Sequence, residues 1–143
     1  MGKKQKAIKA EQKMNKQTIS NFVNAINNHD VESICSHCAD EHIFIDSHGN
    51  ELKGKVQIKI GWIAYFQWFP DYKIEITNIF TDGDTHAAFG FASGTFKAKQ
   101  KNNNENYWRL PASWKIILEN NKVSLWQVYA DTKIPFDIIE RNK

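Results

Sequence analysis

Hydrophobic periodicity resolves the chain of 143 residues into an α+β domain built on a strongly curved antiparallel sheet. Three observations carry that reading. Apolar residues recur at helical spacing three times before Pro70; the period then changes to two and holds to the region of Asp131; and Gly90 and Gly94 interrupt the longest strand, where small residues favour bulges and curvature. The chain is 41% hydrophobic and 13% aromatic, too apolar to remain disordered. A domain of this size buries roughly 68–70% of its unfolded surface, so its core needs neither disulfide nor metal.

Residues 1–17 are rich in lysine and glutamine with little apolar patterning beyond Ile8 and Met14, and read as a tail or a frayed extension of the first helix. The single domain runs from residue 18 to 143. Ile19, Phe22, Val23 and Ile26 mark one face of that first helix, which Asn27–Asp30 break. Val31, Ile34, Cys35 and Cys38 mark a second, short helix. Ile43–Asp46 reads as a short strand and Ser47–Lys55 as a loop. Val56–Phe69 forms the third helix, with Ile58, Trp62, Tyr65, Phe66 and Phe69 on its stripe and Pro70 ending it. Tyr72, Ile74 and Ile76 then alternate with polar residues, as in a half-buried strand, and Thr81–Asp84 turns a hairpin. A long strand over 85–98, a polar loop Gln100–Asn106, strands over 107–118 and 123–131, and a closing helical turn over Phe136–Ile139 complete the expected order.

The formal charge of +3 is local. Six lysines and one glutamate make residues 1–17 strongly basic, which leaves the folded part mildly acidic, so the composition gives no case for nucleic-acid binding. No apolar run is long enough for a transmembrane helix. The basic start lacks the apolar core of a secretory signal, and Lys6 stands where a myristoylation signal wants Ser or Thr. With only two cysteines, a reducing cytoplasm is the expected compartment.

Several motifs suggest chemistry and then fall short of it. Gly49–Val56 approximates a phosphate-binding loop, yet Val56 replaces the hydroxyl that would ligate Mg²⁺. Cys35-Ser36-His37-Cys38 has metal-site spacing without a second cysteine pair, and both sulfurs are expected reduced and buried on the stripe of the second helix. Neither metal nor cofactor is expected. The aromatic residues exceed what a small core needs. Trp62 and Phe66 on the third helix and Trp114 on a strand are candidates for the wall of an apolar ligand pocket. Asp46 and Asp131 end strands. By alternation Asp46 shares a face with Phe44 and His48, and Asp131 with Tyr129. A carboxylate at the lip of such a pocket has a raised pKa and serves as a base; a strand-end aspartate equally serves to cap a turn.

Phe22–Asp30, Phe44-Ile-Asp46-Ser-His-Gly49 with Gly54, Phe69-Pro-Asp71, Leu110–Lys115 and Asn121–Asp131 together resemble the SnoaL-like (polyketide cyclase-like) branch of the nuclear transport factor 2-like superfamily, over about residues 18–140. The resemblance implies a cone: a bent antiparallel sheet wrapped around three helices, with an internal pocket and a homodimer formed through the outer face of the sheet. It places Asp46 where ketosteroid isomerase has its proton-shuttling aspartate. Phe22 and Trp114 fall where that enzyme has its oxyanion donors, and Asp131 matches a last-strand acid of limonene epoxide hydrolase. Without those donors, and without an Arg or Asp near Phe89–Phe91, both specific activities are disfavoured.

The expectation is therefore an enzyme acting on a small hydrophobic carbonyl compound, with Asp46 or Asp131 as general acid/base. Its pocket would be lined by Phe22, His48, Trp62, Phe66, Trp114 and Tyr129, and Asp131 would sit at or near the rim. The alternative is a non-catalytic small-molecule-binding or dimerisation module of the same fold. The expected partners are a small hydrophobic molecule and a second copy of the chain, docked through Trp126, Val128 and Ala130, with no nucleic acid and no membrane insertion.

Overall fold

The computed structural model describes residues 2–99 and 104–143. Ten regular elements follow in order: α1 (Lys3–Asn27), α2 (Val31–Ser36), β1 (Cys38–Ile45), β2 (Glu51–Lys53), α3 (Gly54–Trp68), β3 (Lys73–Asp82), β4 (Thr85–Thr95), β5 (Tyr107–Glu119), β6 (Lys122–Tyr129) and α4 (Lys133–Arg141). A 3-10 turn over Asn104–Asn106 leads into β5. The remainder of the expected loop Gln100–Asn106 lies outside the described residues.

The six strands form one curved sheet in the order β2-β1-β6-β5-β4-β3. Every neighbouring pair is antiparallel except β1 and β6, which run parallel through Phe44↔Trp126 and Ile45↔Gln127. That parallel pair joins the helical half of the chain to the meander, and no local pattern announces it. Curvature concentrates where the register of β3 and β4 slips between Ile76 and Asn78, opposite Gly90. A Cβ on Gly90 would stand 1.8 Å from the Glu75 carbonyl oxygen, so only glycine allows the two backbones this approach. At the β5–β6 hairpin, Asn120 and Asn121 both take the left-handed conformation (φ 52° and 62°) that such a tight turn needs.

The helices cover the concave face. Ile19, Phe22, Val23 and Ile26 of α1 are buried there, while the helix continues without a break back to Lys3. Residues 2–14 are exposed, so the basic segment is a helical extension of α1. Asn27 fastens α1 to the edge strand β3: its Nδ2 donates to the Ile74 carbonyl (2.9 Å), and its Oδ1 accepts from the Ile74 N–H (2.8 Å). Asp30 caps α2 by accepting from the Ser33 N–H.

Several boundaries differ from the reading of the sequence. The second helix stops at Ser36, and Cys38 opens β1. Its buried thiol donates back to the Ile34 carbonyl, whereas Cys35 is only half-buried. The segment read as a loop before α3 contains β2, which pairs with β1. This strand interrupts the motif resembling a phosphate loop, and Lys55 faces Asp40 at 3.5 Å. The last strand ends at Tyr129, before Asp131, and the closing turn is a nine-residue helix.

The outer face of the sheet also needs correction. Trp126 and Val128 pair with Ile116 and Trp114, and cross-strand partners share a face. Because Ile116 and Trp114 are buried in the core, Trp126 and Val128 point inward, and Ala130 lines an interior space with Val128. Tyr129 is half-exposed on the outer face instead. The apolar residues of that face are Phe80, Phe89, Phe91, Pro111 and Tyr129.

Candidate functional site

A cavity of about 250 Å³ opens between α3, the inner face of β1 and β6, and the start of α4. Its volume lies just below the usual range of ligand pockets, ~300–1,000 Å³. Each wall follows from a local pattern. The α3 stripe supplies Trp62 and Tyr65; the inward parity of β1 supplies Phe44, and that of β6 supplies Trp126 and Val128. The aromatic walls interlock, with Phe44 edge-on to Trp62 at 5.8 Å and Trp62 edge-on to Tyr65 at 6.1 Å. Polar groups cluster at the mouth, in the turn after β1 and at the start of α4: Asp46, Ser47, His48 and Thr132. His48 Nε2 lies 2.9 Å from Thr132 Oγ1, and its ring packs on Phe136 at 5.0 Å. These two contacts close the turn against α4. A larger groove of about 470 Å³ runs between α1 and β3, but it is more open and has a mixed lining in which Lys16, Ser20 and Asn24 stand beside Ile19, Ile74 and Ile79.

Asp46 borders this cavity, and its carboxylate is committed to the turn. Oδ1 accepts from the backbone N–H of His48 and of Asn50, both at 2.9 Å, and Oδ2 accepts from Asn50 Nδ2 at 3.0 Å. Partial burial pushes the carboxyl pKa up, but the donors of Asn50 and His48 outweigh it and hold the pKa below its ordinary value. The expectation of a raised pKa is thereby overturned. An apolar neighbour raises a carboxyl only when no donors reach it, and this one holds three hydrogen bonds.

Asp131 is exposed and lies outside the cavity, on the outer rim with Ser47, His48 and Lys133. Its Oδ1 accepts from the Lys133 N–H at 3.0 Å, which caps the first turn of α4. The two aspartates therefore do not face one another across a common cavity.

Four further candidates stand elsewhere. Phe22 is fully buried against Trp126 (5.0 Å between ring centroids) and belongs to the core beneath the cavity. Trp114 lies behind Trp126 at 6.0 Å, and its buried indole N–H has no hydrogen-bond partner among the described residues. Phe66 turns sideways to stack flat on His29 at 4.1 Å. Tyr129 points to the other side of the sheet. Trp62 and His48 are cavity residues. Sequence reasoning missed Tyr65, Tyr72, Trp126, Thr132 and Phe136. Tyr65 shares the helical period of Trp62 and was legible as a wall residue. The α4 residues meet the mouth only through tertiary packing.

A bent, unclosed sheet over helices, enclosing an aromatic cavity at its open end, is the cone of the nuclear transport factor 2-like superfamily. The family model of the SnoaL-like domain matches residues 19–128. The chain belongs to that family. Solved structures share the fold at low identity. A protein from Shewanella denitrificans described as a SnoaL-like polyketide cyclase has a TM-score of 0.75 at 12% identity, covering 89% of this chain and 97% of its own. An LEH-like epoxide hydrolase of M. tuberculosis has a TM-score of 0.72 at 13% identity, covering 91% of this chain and 92% of its own. A protein of ketosteroid isomerase-like fold from Catenulispora acidiphila, in complex with trimethylamine, has a TM-score of 0.68 at 15% identity, covering 78% and 83%. No curated protein matches the sequence. Among the described residues, no helix is long and apolar enough to cross a membrane.

Proposed function

We propose that this protein binds a small, flat, largely apolar molecule in the cavity between α3 and β6, and that neither Asp46 nor Asp131 acts as a general base. The observation that carries the reading is the contrast at one site. The cavity is recessed and aromatic, as ligand pockets are, while the only carboxylate bordering it among the described residues accepts three hydrogen bonds inside a turn. A base must present a basic lone pair to substrate, and Asp46 gives Oδ1 to two backbone N–H groups and Oδ2 to the Asn50 side chain, donors that hold it in its ionised, weakly basic form. The neighbour in complex with trimethylamine supports small-molecule binding within this fold.

Neutral two-ring compounds, tetralin and 1-tetralone, test the proposal by ligand-observed NMR and thermal shift. At ten times Kd a ligand specific for the folded state adds about 1.4 kcal/mol, a rise in Tm of roughly 3–6 °C for a domain of this size. Leu52→Trp, on the short edge strand at the cavity wall, is expected to fill the space and abolish binding. Equal binding by that variant, or none by the parent protein, would refute the assignment. We further propose that two copies pair through the outer sheet face, where Phe80 and Phe89 lie exposed with their rings 6.0 Å apart.

A further inference from the structure

The inner part of the cavity holds two polar groups that its apolar walls do not require. Tyr65 on α3 and Tyr72 in the link from α3 to β3 both line it, and Tyr72 is only 6% exposed. Their rings meet edge to face at 4.9 Å, which sets the two phenols side by side. The same pair borders an adjoining space of about 80 Å³ under α4. Neither hydroxyl has a hydrogen-bond partner outside the pair among the described residues. The pair owns two hydroxyl hydrogens and a bond between them would use only one, which leaves at least one O–H for whatever occupies the cavity. Burial pushes both phenols well above their ordinary range, so the pair remains neutral and able to donate.

We propose that the Tyr65–Tyr72 pair is the polar recognition point of the cavity and selects a neutral ligand with a carbonyl oxygen at its inner end. This inference rests on the binding function proposed above. An unmatched O–H in an apolar cavity is costly, and a ligand acceptor offsets that cost, whereas a hydrocarbon leaves it standing. A carboxylate is selected against. It would lose its hydration among Trp62, Trp126 and Val128, no Lys or Arg lines the cavity among the described residues, and Asp46 stands at the mouth.

Three probes separate these alternatives on the full chain: 1-tetralone, tetralin, which lacks the carbonyl, and 1-naphthoate, which carries a carboxylate. The expected order is 1-tetralone tighter than tetralin by about two- to tenfold, the weight of one neutral hydrogen bond, with 1-naphthoate weakest. Either single Tyr→Phe change leaves one hydroxyl to donate, so the preference is expected to disappear only in the Tyr65→Phe/Tyr72→Phe double variant. A measurement on the unaltered protein stands beside it: ¹³C-labelled 1-tetralone is expected to show a downfield carbonyl resonance and a lowered C=O stretch when bound, relative to hexane. Equal affinities for tetralin and 1-tetralone with an unshifted carbonyl would overturn the tyrosine assignment while leaving the cavity a binding site. Failure of both compounds to bind would overturn both.

Discussion

Removing the Asp46 carboxylate separates a structural cap from a catalytic base. Asp46→Ala deletes three hydrogen bonds, two from backbone N–H groups and one from the Asn50 side chain. Bonds to a charged group contribute ~1.5–3 kcal/mol each when buried. This carboxylate is only half-buried, so water replaces part of what is lost, and the total discounts to about 2 kcal/mol. For a domain of this size that lowers Tm by roughly 4–8 °C. Asp46→Asn keeps one acceptor oxygen for the two backbone donors and faces Asn50 with an amide that must turn over, so about 1 kcal/mol is expected.

The pH dependence has a definite sign. The folded pKa of Asp46 lies below its ordinary value of 3.8, so on acidification the unfolded chain takes up the proton first. The stabilisation is therefore fully present above the unfolded value and is lost as pH falls through the folded one. Thermal denaturation of the parent and the alanine variant at pH 7 and near pH 2.5, with a ¹³C NMR titration of the Asp46 carboxyl, measures both quantities. The stability difference is expected to be full at pH 7 and to shrink in acid. A titration midpoint at or above 3.8, or an alanine variant as stable as the parent at pH 7, would refute the reasoning and return Asp46 to the role of base.

Two further outcomes follow from the sheet. Gly90→Ala would set a Cβ 1.8 Å from the Glu75 carbonyl oxygen and 3.0 Å from the Ile76 Cα. Because backbone cannot swing aside as a side-chain tip does, the loss in urea denaturation is expected at or above the upper end of the ~1–3 kcal/mol usual for overpacking, and an unchanged midpoint would contradict the bulge. In sedimentation at micromolar concentration the parent chain is expected to be dimeric and Phe89→Glu to shift it to monomer; a parent that is monomeric throughout would rule out pairing through the outer face.

Local periodicity determined the helical stripes of α1 and α3, the alternation of β3 to β5, the hairpin turns and the glycine-permitted bend, because each depends on residues close in sequence. It also set Phe44 and Asp46 on the cavity side of β1, and Trp62 and Tyr65 on one stripe of α3. The face presented by β6 was decided elsewhere. Alternation requires only that Trp126 and Val128 share a face opposite Tyr129, and the pairing with Ile116 and Trp114 chose the inside for the tryptophan. The chemistry of Asp46 was decided in the same way. The residues Asp46, His48 and Asn50 are visible in the sequence, but whether the carboxylate meets solvent, a ligand or its own turn depends on how that turn closes, with His48 braced against Thr132 from the far end of the chain. The rings of Tyr65 and Tyr72 likewise come from separate segments and meet only because the core folds α3 back on the start of β3. Spacing along the chain specifies which face a residue shares with its near neighbours; the partners across that face, and hence the electrostatics of the site, exist only once the sheet has closed over the helices.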